Sequence, residues 1–175
     1  QFGLVGSEMC IRDSMSTKTI KASKSNFITL KTSKGSIIIK TLPKIAPNHV
    51  KRIKELVSSG FYNGIIFHRV IEGFMAQTGD PLGNGTGGSG KNLKAEFSDY
   101  EYKYGTVGMA RSMNPDSGDS QFFICFDGCG HLTGQYTVWG QVETGMEVVE
   151  KIEIGEPPSN PDQIIEAFVG KKKTK

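Results

Sequence analysis

Two runs of β-branched residues begin the regular hydrophobic pattern of this chain, at residues 26–32 and 36–42. The connection Ser33-Lys34-Gly35 ends in a glycine that can adopt the positive φ of a tight turn, so the pattern predicts a β-hairpin. Other short apolar segments, each bounded by Gly, Asn, Asp or Ser, are typical of strands. These segments are residues 64–70, 105–110, 121–126, 137–142 and 163–169.

Two segments have the spacing of amphipathic helices. In residues 46–60 a proline suits the first turn, a glycine suits the end, and apolar side chains recur on one face. The apolar positions are Val50, Ile53, Leu56 and Val57. His49 lies among cationic residues, so we expect it on the solvated face. A second, short helix is predicted to begin at Thr144, whose hydroxyl would form a capping box with Glu147.

The order of these elements predicts a single, mainly β domain. Many short strands, two isolated helices and no strand-helix alternation favour an antiparallel barrel or sandwich with helices on its ends or faces. The 175 residues have room for one full core. We expect the domain at residues 26–169, a basic tail at residues 170–175 and an extension at residues 1–25, which is disordered, or non-native before Met15.

Charge and cysteine content narrow the functional classes. The net charge of +3, from 21 basic and 18 acidic residues, is far smaller than that of most nucleic-acid-binding surfaces. No stretch is long and apolar enough for a membrane span. Cys10, Cys125 and Cys129 give no even disulfide framework, so the sequence favours free thiols in a reducing, cytoplasmic environment. The absence of a repeated apolar stripe favours a monomer.

The glycine-rich segment at residues 85–91 matches the G-x-x-x-x-G-K pattern of phosphate-binding loops. That pattern continues with a Ser or Thr that holds Mg²⁺, but Asn92 follows here. A phosphate loop also leads into an apolar helix, and residues 93–105 have no amphipathic helical pattern. The sequence therefore argues against a nucleotide site.

Three motifs carry the most specific signal in the chain: FHR at residues 67–69, GFMAQTGD at residues 73–80 and SQFFI at residues 120–124. In this order and spacing, and over almost all of residues 26–169, the chain resembles the cyclophilin family of peptidyl-prolyl cis-trans isomerases. The resemblance implies a closed eight-stranded antiparallel β-barrel with two capping α-helices. It also implies rotation of X–Pro bonds in unfolded or flexible polypeptides, assistance to protein folding, and no cofactor or metal.

The resemblance assigns catalysis to Arg69, Phe74 and Gln77. Rotation about an X–Pro bond is slow because amide resonance is lost, with a barrier of about 18–20 kcal/mol, and no bond is broken. An enzyme for this reaction needs no nucleophile or base. Arg69 would donate a hydrogen bond to the prolyl nitrogen, whose lone pair returns only in the twisted state.

A substrate-binding set is implied around these three residues. Its apolar members, with Phe74, match a pocket for the proline ring, and its glutamine matches a position that holds the substrate backbone. Alternation along the strand places Phe122 and Phe123 on opposite faces. The set is Met75, Ala110, Arg111, Gln121, Phe123, His131, Leu132 and Tyr136.

Three positions depart from the pattern of the best-known eukaryotic cyclophilins. Arg111 stands where those proteins usually have Asn, and in this it resembles bacterial forms. His131 stands where many have a Trp that supports cyclosporin binding, and Tyr136 stands where they have His. We therefore expect weak binding of cyclosporin with catalysis retained.

Two other hypotheses follow from the residues. Cys125, Cys129 and His131 lie close in sequence, but C-x-x-x-C-x-H lacks a fourth ligand and the usual spacing of a zinc site. The alternative to an isomerase is a proline-peptide binding module with little turnover. Arg69 counts against that alternative, because binding alone needs no donor aimed at the prolyl nitrogen.

Overall fold

Eight antiparallel strands form one curled sheet in the computed structural model, which describes residues 25–171. The strands are β1 (Phe27–Thr32), β2 (Gly35–Thr41), β3 (Arg69–Ile71), β4 (Met75–Thr78), β5 (Thr106–Met109), β6 (Phe122–Cys125), β7 (Val138–Thr144) and β8 (Ile164–Val169). Their order across the sheet is β3-β4-β6-β5-β7-β2-β1-β8. The hairpin and the strands predicted near β5, β6, β7 and β8 are confirmed.

Two α-helices accompany the sheet, α1 (Pro47–Ser58) and α2 (Met146–Val149), together with a 3₁₀ turn at Gly130–Leu132. Helix α1 packs against β7 and β8, and α2 packs against β2. Within residues 25–171, neither helix has the length and apolar character needed to cross a membrane.

The sheet is an open, curled half-barrel, so the prediction of a closed barrel is wrong. Strands β3 and β8 are its two edges. The gap between them is crossed by an isolated bridge from Ile66 to Gln163 and by the Phe67 N–H, which donates to the Asp162 carbonyl at 2.8 Å. The strand predicted at residues 64–70 is therefore shorter in the structure, where only β3 forms a regular ladder. The residues before β3 make the isolated contacts across the gap.

Strand β4 was not among the strands predicted from the hydrophobic pattern. Its sequence, MAQT, has a single β-branched residue at its end, so its intrinsic strand preference is weak. It forms because β3 and β6 pair with it on either side, with Ala76 opposite both Val70 and Ile124. Tertiary pairing decides the conformation of this segment.

The main hydrophobic core lies between α1 and one face of the sheet. The four apolar positions predicted for α1, which are Val50, Ile53, Leu56 and Val57, are all buried. Trp139 of β7 is fully buried and meets the Phe122 ring edge to face at 5.3 Å between centroids. Trp139 is therefore a core aromatic residue.

Helix α2 begins at Met146, and the capping box predicted at Thr144 is not formed. Thr144 is the last residue of β7, where it pairs with Ile38. Gly145 then turns the chain with a φ of 105°, a conformation that favours glycine. A Cβ at Gly145 would also overlap the backbone of Ser36. Thr144 therefore belongs to a strand pair and does not cap the helix.

His49 is buried, so its predicted position on a solvated helix face is wrong. Only 1% of it is exposed, and its Nδ1 lies 2.6 Å from Oε1 of Glu96. The same carboxylate accepts the backbone N–H of His49 at 2.8 Å and that of Asn48 at 3.3 Å. Because Ala46 provides no side-chain cap, Glu96 satisfies the first N–H groups of α1 from a distant segment.

Replacing Glu96 by Ala is expected to lower the free energy of unfolding by roughly 1–3 kcal/mol, because a buried imidazole and two helix N–H groups lose their acceptor. Glu96→Gln keeps an oxygen acceptor and should lose less. Urea unfolding of both variants and the wild type measures the difference. Equal stability of Glu96→Ala and wild type would contradict the role of this carboxylate.

Candidate active site

Three neighbouring strands place Arg69, Gln77 and Phe123 in one row across the sheet. Gln77 lies directly opposite Arg69 on one side and Phe123 on the other. Residues opposite each other in antiparallel strands project from the same face. The intervening row, which includes Ala76, belongs to the main core, so Arg69, Gln77 and Phe123 project from the other face.

A second apolar cluster covers that other face. Tyr102 stacks on Phe123 with ring centroids 5.7 Å apart, and its hydroxyl donates to the Tyr136 carbonyl at 3.0 Å. Gly108 lies opposite Phe123 in β5, and a Cβ there would overlap both aromatic side chains. Phe122 belongs to the main core and Phe123 to this second cluster, which confirms that they face opposite sides.

A cavity of about 130 Å³ opens on this face. Most of the predicted site residues line it: Arg69, Phe74, Met75, Gln77, Ala110, Arg111, Phe123, Leu132 and Tyr136. Gln121 lines an adjoining polar cavity of about 330 Å³, which shares Gln77, Ala110 and Arg111 with the first. His131 is exposed and does not line the first cavity; its ring stacks on Phe74, with the ring centroids 5.6 Å apart.

Arg69 lies at the rim of the cavity, on the edge strand β3. Its side chain is 46% exposed, and its Nε donates to Oε1 of Glu156 at 2.7 Å. Neither Glu156 nor Tyr102 was predicted as a site residue. No sequence motif marks them, because each reaches the site from a segment far along the chain.

Gln121 connects Gln77 to the glycine-rich loop. The Gln77 Nε2 donates to the Gln121 Oε1 at 3.0 Å. The Gln121 Nε2 in turn donates to the carbonyls of Gly85 at 3.0 Å and Gly87 at 2.9 Å. The orientation of the Gln77 amide is therefore tied to the backbone of the loop.

Two carboxylates hold the glycine-rich loop from within. The Asp80 carboxylate accepts the backbone N–H groups of Leu82, Asn84 and Gly85. The Asp119 carboxylate accepts those of Ser89 and Gly90 at 2.8 and 3.0 Å. Burial alone would raise the pKa of Asp80, but the amide hydrogen bonds together hold that pKa below its usual value. Since these N–H groups already bind carboxylates, the likeness to a phosphate-binding loop is incidental.

Arg111 joins two walls of the cavity. Its Nε and Nη2 donate to the Gln135 carbonyl at 3.0 and 2.9 Å, and its Nη1 donates to the Ser112 carbonyl at 2.9 Å. Its guanidinium carbon lies 4.5 Å from the centre of the Tyr136 ring, within the range of a cation–π contact. The guanidinium of Arg111 is thus largely used in holding the walls together.

His68 precedes Arg69 and is buried. Burial lowers the pKa of its imidazole below the usual value, because a charged ring is poorly solvated there. The environment of His68 therefore favours the neutral imidazole.

Cys125 and Cys129 are joined by a disulfide, so the prediction of free thiols is wrong for this pair. Both side chains are buried, and the bond connects the end of β6 to the turn that carries Leu132. Counting cysteines could not reveal a bond that closes so short a loop. Cys10 lies outside the described residues.

Among residues 25–171, no group of three or more His, Cys, Asp or Glu side chains could hold a metal ion.

Comparison with known proteins decides the family. The family model described as cyclophilin type peptidyl-prolyl cis-trans isomerase/CLD matches residues 27–169. The chain belongs to the cyclophilin family. The resemblance seen in its motifs is confirmed, and its activity is the cis-trans isomerisation of peptidyl-prolyl bonds.

Curated relatives of this cyclophilin carry the same activity in their names. The probable peptidyl-prolyl cis-trans isomerase of Brucella abortus is 49% identical, over 85% of this chain and 84% of the relative. The peptidyl-prolyl cis-trans isomerase of Helicobacter pylori is 42% identical, over 79% of this chain and 87% of the relative.

Solved cyclophilins have the same fold as this chain. A cyclophilin from Hirschia baltica superposes with a TM-score of 0.76 at 30% identity, covering 83% of this chain and 74% of the other. A cyclophilin type isomerase from Cryptosporidium parvum, crystallised in the presence of the dipeptide Ala-Pro, gives a TM-score of 0.77 at 27% identity. That match covers 83% of this chain and 99% of the other.

Reduction of the Cys125–Cys129 bond is expected to lower the free energy of unfolding by roughly 2 kcal/mol, the chain-entropy value for so short a loop. Urea unfolding with and without dithiothreitol measures this difference. The Cys10→Ser variant, which lacks the third thiol, should give the same difference. Unchanged stability after thiol titration has shown complete reduction would contradict the expectation.

Proposed function

We propose that this cyclophilin accelerates X–Pro rotation by donating a hydrogen bond from Arg69 to the prolyl nitrogen, within an apolar groove that holds the proline ring. The observation that supports this most directly is the position of Arg69 at the rim of the cavity, in the same cross-strand row as Phe123. Among the described residues, no hydrogen-bond acceptor binds either Nη of Arg69. These donors are therefore free to meet a substrate.

The hydrogen bond would favour the twisted state of the peptide bond over the planar one. In a planar amide the nitrogen lone pair is delocalised and accepts poorly, whereas rotation makes the nitrogen pyramidal and restores the lone pair. A guanidinium keeps its protons at every physiological pH, so it is always ready to donate. An interaction made only in the twisted state lowers the barrier without tightening substrate binding.

The apolar part of the cavity has a complementary role. The proline ring would lie against Phe123 and Met75, both at least 96% buried, with Phe74 and Leu132 beside them. Excluding water around the amide weakens the charge-separated resonance form that water stabilises. The groove would therefore position the ring and also favour rotation.

The polar residues of the site would hold the substrate backbone. Gln77 uses its Nε2 on Gln121, which leaves its Oε1 to accept an N–H group of the substrate. Ala110, at the junction of the two cavities, suits the peptide segment before the proline. We assign to Arg111 the shaping of that wall, since its own donors already bind neighbouring carbonyls.

The substrates we infer are proline-containing segments of unfolded or flexible polypeptides. The Cryptosporidium parvum relative was crystallised in the presence of a proline dipeptide, and a groove open to one side suits an extended chain. A monomer and a cytoplasmic location stay predictions. The Cys125–Cys129 bond removes the support that unpaired thiols gave to the cytoplasmic location.

Arg69→Ala is expected to lower the catalysed cis-to-trans rate of a short Xaa-Pro peptide by about 100-fold, the usual effect of losing one transition-state donor. Arg69→Lys should recover only a small part, because an ammonium has no planar fork of donors. NMR exchange spectroscopy measures the rate at concentrations where each variant is folded.

Lys51→Ala is the matched control for Arg69→Ala, because it removes one exposed positive charge that lines neither cavity. It should leave the rate unchanged. A wild-type protein that is folded and binds proline peptides without accelerating their rotation would support the binding-module alternative. Full activity of Arg69→Ala would reject the donor role.

Wild type is expected to bind cyclosporin weakly, and His131→Trp to bind it at least tenfold more tightly, because a large aromatic face at an interface contributes strongly to affinity. Since His131 does not line the cavity, kcat/KM should change less than twofold. Calorimetric titration and the peptide assay measure the two effects. Equally tight binding by wild type would show that His131 does not limit affinity.

A further inference from the structure

We propose that Glu156 is a positioning residue that holds the Arg69 guanidinium in the orientation used for catalysis. This inference deepens the proposed function and rests on Arg69 as the donor. The contact that motivates it is the 2.7 Å hydrogen bond from Arg69 Nε to Glu156 Oε1.

The backbone around Glu156 is anchored to the strand that carries Arg69. Val70 donates to the Gly155 carbonyl at 2.8 Å, and Gly155 donates to the Val70 carbonyl at 2.9 Å. In this antiparallel bridge, the residue directly opposite Arg69 is Glu156. Glu156 therefore extends the row formed by Arg69, Gln77 and Phe123, and its side chain is on the catalytic face.

The segment that contains Glu156 is itself well supported. The N–H of Glu153 donates to Oδ2 of Asp162 at 2.8 Å, and Oδ1 of the same carboxylate accepts the Ser33 hydroxyl at 2.7 Å. Pro158 is buried, and a Cβ at Gly155 would overlap it. The carboxylate of Glu156 thus projects from a backbone that is fixed on both sides.

Arg69 needs such a partner because it lies on an edge strand with nearly half of its side chain exposed. An unrestrained arginine side chain samples many rotamers. In most of them its N–H groups would lie too far from the prolyl nitrogen to contribute to catalysis. Glu156 binds the Nε and leaves both Nη groups for the substrate. The carboxylate would act through Arg69 without touching the substrate.

The size of the effect follows from the exposure of the pair. Both side chains are about half exposed, at 46% and 54%, and exposed ion pairs are weak. We therefore expect Glu156→Ala to lower kcat by about two- to fivefold with little change in KM. Glu156→Gln keeps an oxygen acceptor and should retain more activity than Glu156→Ala.

The experiment compares Glu156→Ala and Glu156→Gln in wild-type and Arg69→Ala backgrounds, with kcat and KM from NMR lineshapes of a proline peptide. Glu153→Ala is the matched control, an exposed acid of the same segment, and should keep full kcat. The ¹⁵N–Hε signal of Arg69 gives a second readout, since loss of the acceptor should speed its exchange with water. In the Arg69→Ala background, Glu156→Ala should have no further effect.

The outcomes separate this inference from the proposed function. If Arg69→Ala collapses the rate but Glu156→Ala leaves both kcat and the Nε–H signal unchanged, the positioning role is overturned and the donor role stands. An effect on KM alone, an increase in kcat, or an equal loss in Glu153→Ala also overturns it. If Arg69→Ala is fully active, both proposals fall together.

Discussion

The cross-strand register of β3, β4, β6 and β5 is the constraint on which the whole site depends. Side chains of a strand alternate between its two faces, so a slip of one residue in β6 would exchange Phe122 and Phe123. Phe122 packs in the main core and Phe123 in the second cluster, and both faces of β6 are buried. The slipped register would also place Arg69 and Gln77 out of line with Phe123. The specific packing of Phe122 against Trp139 and of Phe123 against Tyr102 therefore fixes the register, and the register assembles the site.

The reaction makes this kind of rigidity sufficient for catalysis. No bond is formed or broken in X–Pro rotation, so the enzyme contributes only the placement of donors, acceptors and apolar surface. The placement of Gln77 depends on a chain of hydrogen bonds through Gln121 to the glycine-rich loop. That loop depends in turn on Asp80 and Asp119, whose carboxylates accept its N–H groups. Two carboxylates thus hold a glycine-rich segment in one conformation, and the amino-acid composition of the chain does not indicate this role for them.

The elements that could be predicted from the sequence are those set by local pattern, and those that were missed depend on distant partners. The apolar spacing of α1 and the alternation of Phe122 and Phe123 are properties of a few adjacent residues. The motifs around Arg69 identified the family and most of the cavity lining. His49, by contrast, is buried because Glu96 reaches it from 47 residues away, and its neighbours in sequence gave the opposite indication. Strand β4 and the open edge of the sheet likewise follow from pairing between segments, which periodicity does not report.

The open edge of the sheet and the composition of the site are connected. In a closed barrel, the position opposite Arg69 would belong to a continuous strand ladder, like the one that β8 forms with β1. Because β3 meets the connecting segment instead, through the single bridge between Val70 and Gly155, an acidic side chain can occupy that position. A ladder would hold the backbone of β3 more firmly but would place a regular strand beside Arg69. The departure from a closed barrel therefore leaves Arg69 exposed at the edge of the sheet and also gives it a charged partner.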